Sequence, residues 1–265
     1  MIKLIVSDID GTMVGRSEAL PEGIADFIRR IEDAGVMFTV ATGRSDGYMD
    51  QRIRKMELTR PYIANNGATI MQGDTALLRK QFPISDIRHI VPRAEELEMS
   101  IIYTFAGVER VTRITPWIIH QGEKHQKDFV AEPFSEEEWN TLKADKILIY
   151  EPTRSGSIAE IEALCSDLPH ASEVRYGDKA VELMEKSANK GSGLVELLSI
   201  LGIGKDEVLV IGDDTNDVLL FQVAENSAAV ANAKPALLPH AKYVCKNEEF
   251  EGVREAIRAF CGIEA

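Results

Sequence analysis

Residues 6–13 read VSDIDGTM and close an apolar run, Ile2 to Val6, that is broken only by Lys3. On an extended strand successive side chains alternate faces, so Asp8 and Asp10 would project from one side, about 7 Å apart. Two carboxylates that close raise each other's pKa and oppose folding unless a cation lies between them or a proton is shared. The pair therefore calls for a partner elsewhere in the chain.

Outward from this stretch the chain alternates strands and helices. Ile24, Phe27, Ile28 and Ile31 fall at i, i+3, i+4 and i+7, with Pro21 in the first turn and Gly35 as the stop. VMFTVA, 36–41, does not alternate and suits a strand buried on both faces of a parallel sheet. A helix at 46–57 and YIA at 62–64 continue the pattern as far as NNGATIM. From about residue 83 the texture changes. A helix near 85–98 carries Pro92 as its start or a kink, and 99–105 with 109–115 reads as a hairpin. Ser135 and Glu138 form a capping box, KILIY at 146–150 a strand, 157–167 a helix, and 172–177 and 180–185 two short strands. The first texture then returns with a stripe of Leu194, Leu197, Leu198 and Leu201 and a buried-type strand, EVLVIG at 207–212, that ends in GDDTND. Edge strands at 228–231 and 243–245 and a helix at 251–260 complete the reading. The fold class is α/β: a doubly wound, Rossmann-like parallel-sheet core from 1–82 and 187–265, interrupted by an α+β cap domain at 83–186.

Bulk properties agree with such a protein. At 265 residues and 45% hydrophobic content the chain can bury a sizeable core. No apolar run approaches the ~20 residues of a membrane span, and the apolar stretch of MIKLIVSD is too short for a secretory signal. A soluble, cytoplasmic protein is expected. Cys165, Cys245 and Cys261 lie far apart without a CxxC pair and read as free thiols. A formal charge of -13 argues against nucleic acid or an anionic membrane as partner.

In doubly wound sheets ligands bind at the carboxyl ends of the strands. Three strand ends here are polar: Asp8 with Asp10, Thr42-Gly43-Arg44, and Asp213 to Asp217. If these strands are neighbours, four or five carboxylates converge, which is tolerable around a divalent ion; oxygen donors without His or Cys favour Mg²⁺. Lys190 and Thr42 supply a positive charge and a hydroxyl suited to a phosphate.

DIDGT, ATGR, the lysine of NKG and GDDTND, in that order, resemble the four motifs of the haloacid dehalogenase-like phosphatases. The insert between the second and third motifs is similar to the large α/β cap of the Cof-type branch (class IIB), whose members are mostly phosphatases of sugar phosphates and related metabolites. The resemblance covers nearly the whole chain. It implies a Mg²⁺-dependent hydrolase of a small phosphate ester, with Asp8 as the nucleophile that forms an aspartyl-phosphate and Asp10 as general acid and base. It implies further that Thr42, Gly43, Arg44 and Asn216 meet phosphate or substrate, and that Lys190 steadies Asp8. The ion would be held by the Asp8 side chain, the Asp10 carbonyl and Asp213, with Asp217 in support. A dehalogenase proper attacks carbon and needs neither the second aspartate nor the metal, so DxD selects phosphoryl transfer.

Each piece also has a plain reading. DxD alone can be a loop or a calcium ligand pair, although Gly11 at the fourth rather than the sixth position excludes an EF-hand. Lys190 alone would be a surface lysine, and Arg44 can meet either the substrate or a neighbouring acid. GSG at 191–193 and GIG at 202–204 lack the third glycine of a dinucleotide loop. His120 and His125 do not match a zinc spacing, and Trp117 reads as cap core rather than substrate platform. A response-regulator receiver is shorter and spaces its acids differently. A phosphomutase would use the same aspartates, and a non-enzymatic sugar-phosphate sensor would be free to lose Asp10 or Lys190.

Overall fold

The computed structural model describes residues 1–15, 19–153 and 155–264. In chain order the elements are β1 (Leu4–Ser7), α1 (Ile24–Asp33), β2 (Met37–Val40), α2 (Asp46–Lys55), β3 (Tyr62–Ala64), β4 (Thr69–Gln72) and β5 (Thr75–Arg79). There follow β6 (Phe82–Pro83), α3 (Ile90–Glu96), β7 (Ser100–Phe105), β8 (Val108–Val111), α4 (Pro116–His125), α5 (Glu136–Thr141) and β9 (Lys143–Ala144). The remainder is β10 (Lys146–Tyr150), α6 (Ile158–Cys165), β11 (Ala171–Tyr176), β12 (Ala180–Glu185), α7 (Lys190–Leu201), β13 (Val208–Gly212), α8 (Val218–Val223), β14 (Asn226–Ala229), β15 (Tyr243–Val244) and α9 (Glu249–Cys261). Two compact units result: Met1–Arg79 with Ala188–Ala265, and Lys80–Ser187.

The first unit is built on a parallel sheet of order β15-β14-β13-β1-β2. The unalternating strands have a direct cause. Ile5 packs into one cluster with Phe27 and Ile31 of α1 and Ile257 of α9. Leu4 and Val6 pack into another with Leu194 and Leu197 of α7 and Leu220 of α8. Both faces of β1 are therefore covered, and each fully buried aliphatic side chain contributes about 1.5–3 kcal/mol. Among the described residues no helix is long and apolar enough to cross a membrane.

Several local expectations need correction. α1 begins at Ile24 with Gly23 as its cap, so Pro21 stands before the helix, its carbonyl accepting from the Ile24 N–H. YIA at 62–64 meets the parallel sheet only through a bridge from Ile63 to Ala41, and pairs antiparallel with β4, which in turn pairs with β5. The segment 228–231 is no edge: β14 lies between β13 and β15, and its small Ser227, Ala228 and Ala229 are buried there. Pro92 falls in the first turn of α3, where its missing N–H has no helical partner to lose; a separate 3₁₀ turn at Ile84–Ile87 precedes it.

The second unit is an antiparallel sheet of order β11-β12-β10-β7-β8. Ile101, Tyr103, Ile147, Ile149, Val181 and Leu183 pack one face against Ile90 and Ala94 of α3 and Ile158 and Ile161 of α6. Ser135 caps α5 with Glu138 in a reciprocal capping box. Trp117 stacks on Tyr150, ring centroids 4.2 Å apart. Beside α4 a cavity of about 420 Å³ is lined by Ile114, Ile118, Gly122, Lys127 and Phe129 among others.

Candidate active site

The site lies in the first unit, at the carboxyl ends of β1, β2 and β13. The Asp8 N–H donates to Ile211 O at 2.8 Å, which fixes Asp8 immediately past the last paired residue of β1, Ser7. Beyond it the chain leaves the strand. The N–H groups of Met13 and Val14 both return to Ile9 O, at 2.9 and 2.8 Å. Asp8 and Asp10 consequently do not share a strand face, and each finds its own partner.

Asp8 turns inward. Lys190 Nζ donates to Asp8 Oδ1 and to Asp217 Oδ1, both at 2.6 Å, with all three side chains at most 5% exposed. Thr12 Oγ1 donates to Asp213 Oδ1 at 2.8 Å and lies 3.4 Å from Asp8 Oδ2. Asp217 Oδ2 accepts from the N–H groups of Asp213 and Asp214 at 3.0 and 3.1 Å. Gly11 has φ +87°, and a Cβ on it would fall 2.2 Å from Asp213 Oδ2. Only glycine can let the loop pass so close to that carboxylate.

Carboxylate oxygens of Asp8, Asp213 and Asp217 lie within 4.8 Å of one another. Lys190 brings one positive charge to three buried acids. Burial pushes the Asp8 carboxyl well above its usual range, more than the Lys190 charge lowers it, and Asp217 and Asp213 add to the rise. Burial likewise pushes Asp213 up to about 6, against the hydrogen bond from Thr12. For Lys190 burial works against the charge, but Asp217 and Asp8 outweigh it and hold the ammonium above its ordinary value. An all-oxygen donor set with surplus negative charge fits a hard divalent cation such as Mg²⁺. Ionising all three acids without one is unfavourable.

Asp10 turns outward, its side chain 41% exposed, and both its oxygens are taken by one guanidinium. Arg44 Nε donates to Asp10 Oδ2 at 2.6 Å and its Nη2 donates to Asp10 Oδ1. Of the two sequence readings of Arg44, the structure displays the neighbouring acid. Thr42 is fully buried after β2; its Oγ1 accepts from the Arg44 N–H at 3.1 Å, leaving the hydroxyl hydrogen to donate elsewhere.

Asn66 belongs with these residues although the sequence reading passed over it. Its N–H donates to Thr42 O at 3.0 Å, and that of Asn65 to Arg44 O at 2.8 Å. Gly43 lies against the Asn66 amide, and Asn216 Nδ2 donates to Asn66 Oδ1 at 3.0 Å. Asn216 thus stands with Asn66 rather than on the acid cluster. Asn65, Asn66 and Gly67 all have positive φ, and a Cβ on Gly67 would fall 2.0 Å from Asn189 O, the cap of α7. The turn is wedged between the loop of Thr42 and the helix that begins with Lys190. Its sequence signal is Asn-Asn-Gly directly after a buried strand, the residue types that tolerate left-handed backbone.

The three cysteines are free thiols, two of them buried. A phosphoglycolate phosphatase of Methanopyrus kandleri is 27% identical over 260 residues, 97% of each chain. A haloacid dehalogenase-like hydrolase from Bacteroides thetaiotaomicron shares the fold at TM-score 0.84, with 22% identity over 98% of this chain and 99% of its own. A HAD subclass IIB sugar phosphatase superposes at TM-score 0.81, with 21% identity over 98% and 99%. The family model of the haloacid dehalogenase-like hydrolases matches residues 5–257, and with the acids and the threonine at neighbouring strand ends and the lysine at the start of α7, the chain belongs to that family.

Proposed function

We propose that the protein is a Mg²⁺-dependent phosphatase that hydrolyses a small phosphate monoester, a sugar phosphate or related metabolite, through an aspartyl-phosphate on Asp8. The observation that carries this reading is the buried Lys190 ammonium bridging Asp8 and Asp217 beside Asp213. A lysine so held fixes one Asp8 oxygen and offsets part of the cost of ionising it, the remainder falling to a cation at the acid triad.

Asp8, Asp213 and the Asp10 carbonyl would hold the ion, with Asp217 in support. When bound, Mg²⁺ relieves the repulsion between Asp8 and an anionic ester and polarises the phosphoryl oxygens. Asp8 attacks phosphorus, the bond to the leaving oxygen breaks, and Asp10 gives that oxygen its proton. Water then attacks the aspartyl-phosphate, Asp10 takes a proton from it, and the bond to Asp8 breaks to release phosphate. Thr42, Gly43 and Asn216 orient the phosphoryl oxygens, and Lys190 offsets their charge. Residues 83–186, which contain none of these groups, are assigned a part in the choice of ester.

A panel of phosphate esters with Mg²⁺ tests the reading. Turnover is expected, lost in Asp8→Asn, whose amide keeps the shape but not the nucleophile, and lowered about 10²-fold or more in Asp10→Asn with a poor leaving group. Full turnover in chelator, or in Asp8→Asn, refutes it.

A further inference from the structure

We propose that Arg44, Tyr48 and Arg52 form a second anion subsite, which receives a carboxylate or second phosphate carried by the substrate beside the phosphate to be cleaved. This inference deepens the phosphatase reading and rests on it. The Arg44 guanidinium binds Asp10 through two nitrogens and also lies over the Tyr48 ring, 4.5 Å from its centroid. The Arg52 guanidinium lies 4.8 Å from the same centroid. Tyr48 and Arg52 stand one turn apart on α2, which starts directly after the Thr42-Gly43-Arg44 loop. Two guanidiniums thus attend one ring, while Lys190 is committed inside, between Asp8 and Asp217.

The pair with Asp10 shows what this group accepts. A carboxylate fills the fork of Arg44 with two parallel hydrogen bonds, and an incoming carboxylate or phosphate presents the same pair of oxygens. The edge formed by Nε and Nη2 is the one Asp10 occupies, so an anion that takes that edge displaces Asp10. While Asp10 holds the fork, neither of its oxygens is available to a leaving group. A ligand anion that takes the fork releases Asp10 for proton transfer at the moment the ester is bound. The Tyr48 ring keeps the guanidinium plane seated during the exchange, and Arg52 adds charge beside it. An ester with a neutral leaving group leaves Arg44 on Asp10 and is hydrolysed more slowly. Substrate preference then appears in kcat as well as in KM, because the second anion does more than bind.

The experiment compares three esters of one carbon skeleton: phosphoglycolate, ethylene glycol bisphosphate and 2-hydroxyethyl phosphate. The wild-type protein is expected to favour either ester with a second anionic group over the one whose leaving group is neutral by about tenfold to a hundredfold in kcat/KM, the range of one charge-assisted pair. Arg44→Gln is expected to remove most of that preference, and Arg52→Gln part of it. Arg44→Lys, which keeps the charge without the fork, should retain less than half of the preference on a logarithmic scale. The carboxylate and bisphosphate arms show which anion the subsite takes. A wild-type preference within twofold, or equal losses on all three esters in folded Arg44 variants, overturns the proposal and leaves Arg44 as a positioner of Asp10. Should no ester turn over, the phosphatase reading fails, and calorimetric binding of the same esters to Asp8→Asn still decides the subsite. Tighter phosphoglycolate than 2-hydroxyethyl phosphate, lost on adding Arg44→Gln, supports it there, and equal affinities overturn it.

Discussion

Replacing Lys190 by Met keeps the length and most of the volume of a fully buried side chain and removes its charge. Two charge-assisted hydrogen bonds of 2.6 Å disappear, to Asp8 and to Asp217, and three acids remain together without a cation. Taking one partner from a buried ion pair costs about 3–5 kcal/mol. Proton uptake by Asp8, which burial already favours, returns part of that, so the lower end of the range is expected near neutral pH. For a unit of this size about 2–4 °C of Tm accompanies each kcal/mol, which gives a fall of about 6–12 °C. The decisive comparison is Lys190→Met/Asp217→Asn. Asparagine keeps an oxygen to accept from the N–H groups of Asp213 and Asp214 and deletes one of the crowded charges. The double variant should therefore melt above Lys190→Met alone, whereas independent effects would place it below. Scanning calorimetry in EDTA at pH 7.5 measures all four corners of the cycle. A Lys190→Met transition within 1 °C or so of wild type, or a double variant that melts below the single one, refutes the account of the buried cluster.

Mg²⁺ at a hundred times its Kd should stabilise the wild-type protein by about 2.7 kcal/mol over the same protein in EDTA, read as a rise in Tm; coincident transitions would argue against a site at the acid triad. Gly67→Ala must place a methyl group against Asn189 O with φ at +92°, so a loss of at least about 1–2 kcal/mol is expected together with a fall in kcat, and a neutral outcome would show the turn to be loosely held. Glu151 is buried, which opposes its charge. Hydrogen bonds from the Ser155 hydroxyl and the N–H groups of Ile158, Ser157 and Ser155 nevertheless hold its carboxyl below the usual range. Its contribution is thus present above the unfolded pKa, about 4.3, and fades as pH falls through the lower folded value. Glu151→Gln should cost about 1–2 kcal/mol at pH 7 and progressively less below pH 4, as followed by urea melts; a difference that does not change with pH contradicts the assignment.

The sheet was legible because burial on both faces leaves a signature: VMFTVA and EVLVIG do not alternate, and β13 is buried throughout while β2, though last in the sheet order, is buried at every residue but Met37. KILIY and the Ser135–Glu138 box were equally readable, since each is a local pattern with a local cause. Lys190 was found by its place in a motif, but its burial between two aspartates is a product of tertiary packing. The β4–β5 hairpin lies just where the sequence pattern was followed to its end, at NNGATIM, although Gly73-Asp74 separates two β-rich runs. Asn66 carries no charge and no titratable group, so nothing but its turn chemistry marked it. The strand-mate reading of Asp8 and Asp10 needs a strand that reaches Asp10; β1 ends at Ser7, three residues short of it, and the two carboxylates part.

The insertion of the second unit has a bearing on the order of folding. Leu4 pairs with Met37 on one side and with Val208 on the other, so β1 acquires its first neighbour early in synthesis and its second only after the entire insert has emerged. Contacts of such sequence separation are slow to form, while the insert has a core of its own and can fold in the interval. The nascent chain therefore leaves one flank of a fully buried strand unpaired until the insert has been made. Asp8 is synthesised 182 residues before its lysine, and Asp213 and Asp217 follow later still. A chain stopped before residue 208 would carry Asp8 without Asp213 and Asp217, and its unpaired β1 edge would be the place where aggregation begins.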